Sequence, residues 1–368
     1  MKPYIYQRPQ WPSFTWDESS VLGKLTELRY KQGRLLGKME GLGFHLREEA
    51  TLHVLTMDVT KTSEIEGEIL PIDQVRSSIV RKLGMNFSGL VSSSRNIDGI
   101  VDVMIDATGL YQTPLTIDRL FNWHSALFPT GRSSMYPITV GAWRTDSNGP
   151  MQVVSGASGK EKIHFEAPPA KRLASEMKVF LKWFNKEDNL NPVIKSAIAH
   201  LWFVTIHPFD DGNGRIARAI ADMQMARADK TSQRFYSMSA QIQKERAAYY
   251  EILERTQQGG LDITKWIQWF LNTLDHSLDE SEQVLSAVML KARFWEKHNH
   301  LSLNERQRLM LNKLLDGFDG KLTSSKWAKI TKSSPDTALR DITYLLEIKA
   351  LKKDEGGGRS TSYSLVIK

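Results

Sequence analysis

The chain has 368 residues, 41% hydrophobic and 25% charged, with a net charge of +7 and no cysteine. That length allows two or more domains with sizeable cores, and the composition is that of an ordinary globular protein. Disulfides and thiolate metal sites are excluded; no stretch approaches the ~20 apolar residues of a membrane span, and "MKPYIYQRPQWPSF" lacks the apolar run of a signal peptide, so a cytoplasmic protein with no membrane partner is expected.

Residues 18–57 read as helix. "ESSVLGKLTELRYKQGRLLGKMEGL" sets Val21, Leu25, Leu28, Leu35 and Leu36 at roughly helical spacing. "REEATLHVLTMDVTKTSEIEGE" continues as helix to Gly67, and Pro71 prevents simple continuation. Residues 95–130 hold two more helices, the second with Thr116 as N-cap. Over 138–170 the character changes. "MQVVSG" and "KIHFEA" around a Ser-Gly-Ala-Ser-Gly-Lys turn read as a β-hairpin, ended by Pro168 and Pro169. Helices follow over 170–185 and 192–206, the latter with Asn191 as N-cap and Pro192 at the first position. It runs straight into "HPFDDGNGR". A helix beginning "IARAIADMQMARA" comes next, then others over about 239–257, 261–278 and 280–298.

The last segment differs. Residues 291–368 hold 16 basic and 9 acidic residues, which accounts for the whole net charge of +7. "LNERQRLMLNKLL", "LTSSKWAKITK" with a Ser cap, and "SPDTALRDITYLLEIKALK" capped at Ser334 read as three helices. "KDEGGGRSTSYSLVIK" reads as a glycine turn between β-prone ends. This order resembles a winged helix-turn-helix over about 301–367. Arg340, Lys349, Lys352, Lys353 and Arg359 add charge there. Such a module implies DNA or a protein as partner.

Within "HPFDDGNGRIAR", Gly212, Asn213 and Gly214 allow a tight turn whose N–H groups join those of the next helix as an anion site. Arg215 and Arg218 lie three apart on one helix face, and guanidinium forks suit phosphate oxygens. Asp211 is a hard oxygen ligand fit for Mg²⁺ on a diphosphate. His207, at the end of an apolar helix, is an ionisable base. These residues describe a nucleotide diphosphate site. They equally describe a capped loop bearing surface charges. A Walker loop and a zincin are excluded, because no Gly-Lys-Ser/Thr follows and no His-Glu-x-x-His exists. His200 lies seven residues from His207 without a further ligand.

The run is similar to the Fic motif, His-Pro-Phe-x-Asp/Glu-Gly-Asn-Gly-Arg-x-x-Arg, at every defined position. The resemblance covers about 50–275 and implies a helical core with a β-hairpin flap. It implies transfer of AMP from ATP, with Mg²⁺, to a Ser, Thr or Tyr hydroxyl of a target protein or of the chain itself. His207 would be the general base and Asp211 the Mg²⁺ ligand. Gly212, Asn213, Gly214 and Arg215 would bind phosphates, and Arg218 the γ-phosphate. Phe209 would anchor the loop. Val153 and Val154 would clamp the target backbone, and Tyr249 and Tyr250 would lie on the adenine side. Trp143 and Trp202 read as packing, and His164 as structural or surface.

"TSEIEG" (62–67) puts Thr62 and Glu66 on one helix face, with Gly67 as a helix stop. Alone it reads as a solvated helix end. Beside a Fic motif it resembles the Ser/Thr-x-x-x-Glu-Gly/Asn inhibitory motif, which implies that Glu66 pairs with Arg218 and denies it to ATP.

The expected fold is mainly α: a Fic-type core with a hairpin flap plus a C-terminal winged helix-turn-helix. The expected domains are 1–95 with the inhibitory helix at about 56–67, a catalytic domain 96–280, a linker helix 281–300 and the winged helix 301–368. Two alternatives stand beside auto-inhibited AMP transfer: a DNA-binding regulator whose core senses nucleotide, and transfer from another nucleotide donor. The oligomeric state is left open, a homodimer included.

Overall fold

A computed structural model describes residues 3–366, apart from 88, 148, 157–161, 299–300, 316–317, 319 and 355–360. The turn of the expected hairpin and the glycine turn with Arg359 lie largely or wholly outside the described residues. The chain forms two compact units, Met1–Ser281 and Glu282–Lys368. The first contains both the expected N-terminal region and the whole of the expected catalytic region.

The first unit opens with helices α1 (Glu18–Glu40), α2 (Phe44–Ile65), α3 (Ile72–Leu83), α4 (Arg95–Gly109) and α5 (Ile117–Leu127). Gly41 and Gly43, poor helix formers two positions apart, separate α1 from α2. Thr116 caps α5 as expected, its hydroxyl accepting from the Arg119 N–H. Helix α3 begins directly after Pro71, where the sequence reading placed only a stop.

Two short antiparallel ribbons follow. Strands β1 (Arg132–Ser133) and β2 (Tyr136–Pro137) form one; β3 (Gln152–Ser155) and β4 (Lys162–Glu166) form the expected hairpin. Phe165, on the buried side of β4, meets Tyr4 edge-on at 5.1 Å and Tyr6 at 6.1 Å. The N-terminal segment thereby fastens the base of the flap.

Helices α6 (Leu173–Asn185), α7 (Pro192–Ile206) and α8 (Asn213–Asp229) form the centre. Helix α7 is buried on every side from Val193 to Ile206, as an all-round apolar helix must be. Its long partner is α8, whose alanines allow close approach, and the Ser196 hydroxyl bridges to the Ala221 carbonyl at 2.9 Å. Trp202 packs among Trp11, Phe14, Phe180 and Trp183, and Trp143 against Phe121 and Phe209, so both tryptophans serve packing.

The expected helix 239–257 is two helices, α9 (Met238–Lys244) and α10 (Arg246–Gln257), broken at Glu245. The helices expected over 261–278 and 280–298 are one, α11 (Thr264–His298). No Gly or Pro interrupts that stretch.

The second unit has α12 (Glu305–Leu315), α13 (Ser324–Thr331), α14 (Pro335–Glu347) and the ribbon β5 (Leu351–Lys353)–β6 (Tyr363–Leu365) around Met310, Leu311, Trp327, Ile342 and Leu345. Helix α13 is capped by Thr323, not by a serine, while Ser334 caps α14 as expected. Among the described residues no helix is long and apolar enough to cross a membrane.

Candidate active site

Helix α7 ends on His207, held in the left-handed conformation at φ 52°. Its ring Nδ1 lies 3.1 Å from the Val204 carbonyl. A carbonyl only accepts, so Nδ1 carries the hydrogen and Nε2 is left with its lone pair. Nε2 has no partner among the described residues. Burial pushes the His207 pKa down to about 4, against the Val204 bond and with Arg144 adding to the effect. The ring is therefore a neutral base at physiological pH.

Arg144 clamps the junction. Its Nε donates to the His207 carbonyl at 2.7 Å, Nη2 to the Pro168 carbonyl at 2.6 Å and Nη1 to Asp146 at 3.0 Å. His124 braces the loop from the other side. Its ring stacks on Phe209 at 4.1 Å, Nε2 donates to the Asp211 carbonyl at 3.1 Å, and Nδ1 accepts from the Gly141 N–H. Neither residue stands out in the sequence, because each acts through a tertiary contact with an unremarkable local neighbourhood.

Phe209 is fully buried and anchors the loop as expected. Asn213 is committed to the same task. Its side chain accepts from the Phe209 N–H at 3.0 Å and donates to the Phe209 carbonyl at 2.8 Å. Helix α8 starts at Asn213, earlier than the run "IARAIADMQMARA" suggested, after Gly212 at φ 81°. The N–H groups of Asn213, Gly214 and Arg215 therefore belong to its first turn and lack helical acceptors.

A cavity of about 700 Å³ opens on this turn. His207, Asp211, Asn213 and Gly214 line one end, Val153 and Val154 belong to the flap wall, and Tyr249 and Tyr250 come from α10. Glu66 also lines it. Tyr249 is buried, its hydroxyl 3.0 Å from His200 Nε2, which accounts for that histidine inside the core. Asp211 presents a carboxylate pinned by the Gly212 N–H and the Ser133 hydroxyl. No group of three or more His, Asp or Glu among the described residues is placed to hold an ion. One hard oxygen donor beside an array of N–H donors fits a cation that arrives on phosphate oxygens.

Helix α2 reaches this site with its C-terminus. Glu66 caps it and Gly67 follows at φ 89°. Arg218, only 2% exposed, donates from Nε to the Thr62 hydroxyl at 2.7 Å, and from Nη2 to the Thr62 carbonyl at 3.0 Å and to Glu66 Oε1 at 2.7 Å. Burial opposes the Arg218 charge, but Glu66, with Tyr249 and Tyr250, more than offsets it and raises the Arg218 pKa. Nη1 is buried with no partner among the described residues. A Cβ on Gly214 would stand 2.1 Å from Glu66 Oε1, so any side chain there would push this carboxylate out of its position against Arg218.

The second arginine is paired as well. Arg215 Nη1 donates to Glu68 Oε2 at 3.1 Å, and its guanidinium lies over Phe128 at 5.0 Å. Glu68 had no signal in the sequence beyond its position two residues after Glu66. Arg246 and Tyr250 add donors to the Ile65 carbonyl, at 2.6 and 3.3 Å, and hold the end of α2 in place.

Residues 114–225 match the model of the Fic/DOC family. Residues 4–85 match a second model, described as a domain of unknown function (DUF4172). The chain is 27% identical over 219 residues to Protein adenylyltransferase Fic of Drosophila melanogaster, covering 58% of this chain and 39% of that protein. The Drosophila ananassae protein of the same name is 27% identical over 222 residues, 59% of this chain and 40% of its own. The chain thus spans about two fifths of the length of these curated relatives. A solved Fic family protein from Desulfovibrio desulfuricans superposes with a TM-score of 0.54 at 19% identity, over 94% of this chain and 96% of that one. A Fic domain-containing signalling protein from Bacteroides thetaiotaomicron gives 0.51 at 19% identity, over 73% and 98%. At these identities the likeness is one of fold.

Proposed function

We propose that the chain is an auto-inhibited protein adenylyltransferase that moves AMP from ATP to a Ser, Thr or Tyr hydroxyl. The observation that carries this reading is one cavity holding a neutral His207 with a free Nε2 beside the N–H groups that open α8. His207 Nε2 takes the proton of the entering hydroxyl. The hydroxyl oxygen bonds to the α-phosphorus, the bond to the β-phosphate oxygen breaks, and pyrophosphate leaves. The Gly214 and Arg215 N–H groups, Gly212 by its backbone turn, and the Arg215 and Arg218 guanidiniums hold the phosphates. Asn213 contributes its backbone N–H, since its side chain closes the loop. Positioning and charge stabilisation supply most of the gain in such a transfer. Asp211 would hold Mg²⁺, which would neutralise charge on the phosphates. Tyr249 and Tyr250 shape the nucleoside end.

Inhibition follows from competition for Arg218. A γ-phosphate and the Glu66 carboxylate cannot both take its Nη2, so Glu66 leaves ATP in an unproductive pose, with Thr62 holding the guanidinium from behind and Gly67 ending the helix. The flap offers Val153 and Val154 to a target main chain by strand addition. Val154 is 48% exposed, and a second cavity of about 760 Å³ borders it beside Ile163.

For the second unit we propose a winged helix-turn-helix with DNA or a protein as partner. Its helix–helix–helix–ribbon order and exposed Arg340, Lys349, Lys352 and Lys353 support this.

Intact-mass spectrometry of the Glu66→Gly protein with ATP, Mg²⁺ and a candidate acceptor tests the reaction. A gain of one AMP on the acceptor, absent with His207→Ala, is expected. A gain matching a different group would replace the donor, and no gain would overturn the transferase reading.

A further inference from the structure

The flap carries a second reactive constellation on the wall of the same cavity. Val153 pairs with Phe165 and Val154 with Ile163, so His164 is the extra residue of a β-bulge and has no cross-strand partner. Bulges re-aim side chains and recur beside active sites. Here the ring bridges two groups. Nε2 lies 2.6 Å from Ser155 Oγ, and Nδ1 lies 2.7 Å from Glu254 Oε2 on α10.

The protonation of this set is determined by its partners. Burial opposes ionisation of Glu254, yet the hydrogen bond from His164, helped by Lys162, holds its carboxyl below the ordinary range. A carboxylate only accepts, so Nδ1 carries a hydrogen, and in the neutral ring Nε2 is the acceptor for the Ser155 O–H. Gln258 Nε2 donates to the His164 carbonyl at 2.9 Å and to Glu254 Oε1 at 3.2 Å, which fixes the bulge to α10. Hydroxyl, imidazole and carboxylate in that order are the arrangement that activates a nucleophile. All three line the cavity that holds His207 and Asp211. The sequence reading gave His164 only a structural or surface role; its chemistry appears once the bulge and α10 are in place.

We infer that Ser155 is a nucleophile and the site of self-modification, taking the nucleotidyl group of a nucleoside triphosphate bound in this cavity with His164 as base. This rests on the transferase reading above. The Ser155 Oγ–phosphorus bond forms at the α-phosphate, and the bond from that phosphorus to the bridging oxygen breaks. Pyrophosphate leaves with the electron pair. The Oγ proton ends on His164 Nε2, and the Glu254 carboxylate balances the imidazolium. The product is a nucleoside monophosphate joined to Ser155 as a phosphodiester. A target hydroxyl and Ser155 thus reach one electrophile through two different bases, His207 and His164.

The test is peptide-level tandem mass spectrometry of the full-length Glu66→Gly protein after incubation with ATP and Mg²⁺, with the wild-type chain at raised ATP as a second sample. AMP on Ser155 is expected, absent in Ser155→Ala and reduced on the order of 10²-fold or more in His164→Gln. Glu254→Gln keeps an acceptor for Nδ1 but removes its charge, and a smaller reduction is expected. AMP on other hydroxyls with none on Ser155 overturns this inference and leaves the transferase reading standing. No AMP on any residue of the chain overturns this inference, while the acceptor assay above decides the transferase reading by itself. Ser155 labelling that is unchanged in His164→Gln overturns the role of His164.

Discussion

Glu66 and Arg218 meet at 2.7 Å across 152 positions of chain, and Gly214 is the residue that makes room for them. The Glu66 side chain is 31% exposed while Arg218 is 2% exposed. The buried partner therefore depends on the contact more than the exposed one does. Substituting Glu66 leaves a buried guanidinium that still keeps both Thr62 bonds. A nucleotide γ-phosphate can then supply the missing negative charge.

Gly214→Ala tests the close approach itself. In the wild-type chain the added methyl collides with Glu66 Oε1, and a loss of stability is expected. In the Glu66→Gly background the Glu66 clash is gone and Arg218 Nη1, at 3.2 Å, is the close atom that remains, so the cost falls, and alanine's better helix propensity is worth up to about 1 kcal/mol. Denaturant unfolding of the four proteins of this cycle measures the difference. Equal costs in both backgrounds would show that the Cβ clash is not with Glu66.

Glu68 is a weaker lock than Glu66. Its side chain is 43% exposed, so its pair with Arg215 is worth under about 1 kcal/mol and is screened by salt. Glu68→Gln is expected to raise transfer less than about 5-fold at low salt, an effect that fades at high salt. A rise as large as that of Glu66→Gly would make Glu68 a main element of the inhibition.

The depressed pKa of His207, about 4 with Glu66 in place and raised by it, predicts an acid limb no higher than about 4 in the rate of the Glu66→Gly protein, well below the ordinary histidine value of 6.5. As pH falls through that limb the base becomes protonated and transfer is lost. A pH–rate profile with its acid limb near 6.5 would mean that the ring is more solvated than its surroundings indicate.

His124 adds a stability dependence of defined sign. Burial lowers its pKa to about 4 from 6.5. Between those values the unfolded chain binds the proton more readily. The stability His124 contributes is complete above about pH 6.5 and is lost as pH falls to about 4, at up to about 1.4 kcal/mol per unit. Asp58, pushed up by burial and by Asp222, acts in the opposite direction. The informative quantity is thus the difference between wild type and His124→Gln over pH 4–7, and it should shrink towards acid. A constant difference would contradict a neutral buried His124.

Much of the site is legible in the sequence because it is contiguous. His207 to Arg218 occupy a helix end, a turn and a helix start, so their grouping survives without knowledge of the fold. Thr62 and Glu66 were legible from their four-residue spacing and from the motif they resemble. Glu68 was not, since a glutamate near a helix end usually lies in water. Arg144 and His124 reach the loop from distant segments, and Ser155, His164 and Glu254 meet only through a bulge and a helix contact. Asn213 is the converse case: the sequence reads it as a phosphate binder, and the fold shows that its side chain is spent on closing the loop. Helix α11 was divided at a polar run that contains no residue able to stop a helix.

The central claim is that Glu66 holds the site off through Arg218. Its most direct measurement is AMP transfer from labelled ATP by the wild-type and Glu66→Gly proteins at equal concentration, with Mg²⁺. A coupling of 1–3 kcal/mol corresponds to roughly 5–150-fold, and a rise in that range for Glu66→Gly is the expected result. Equal rates in the two proteins would contradict the account.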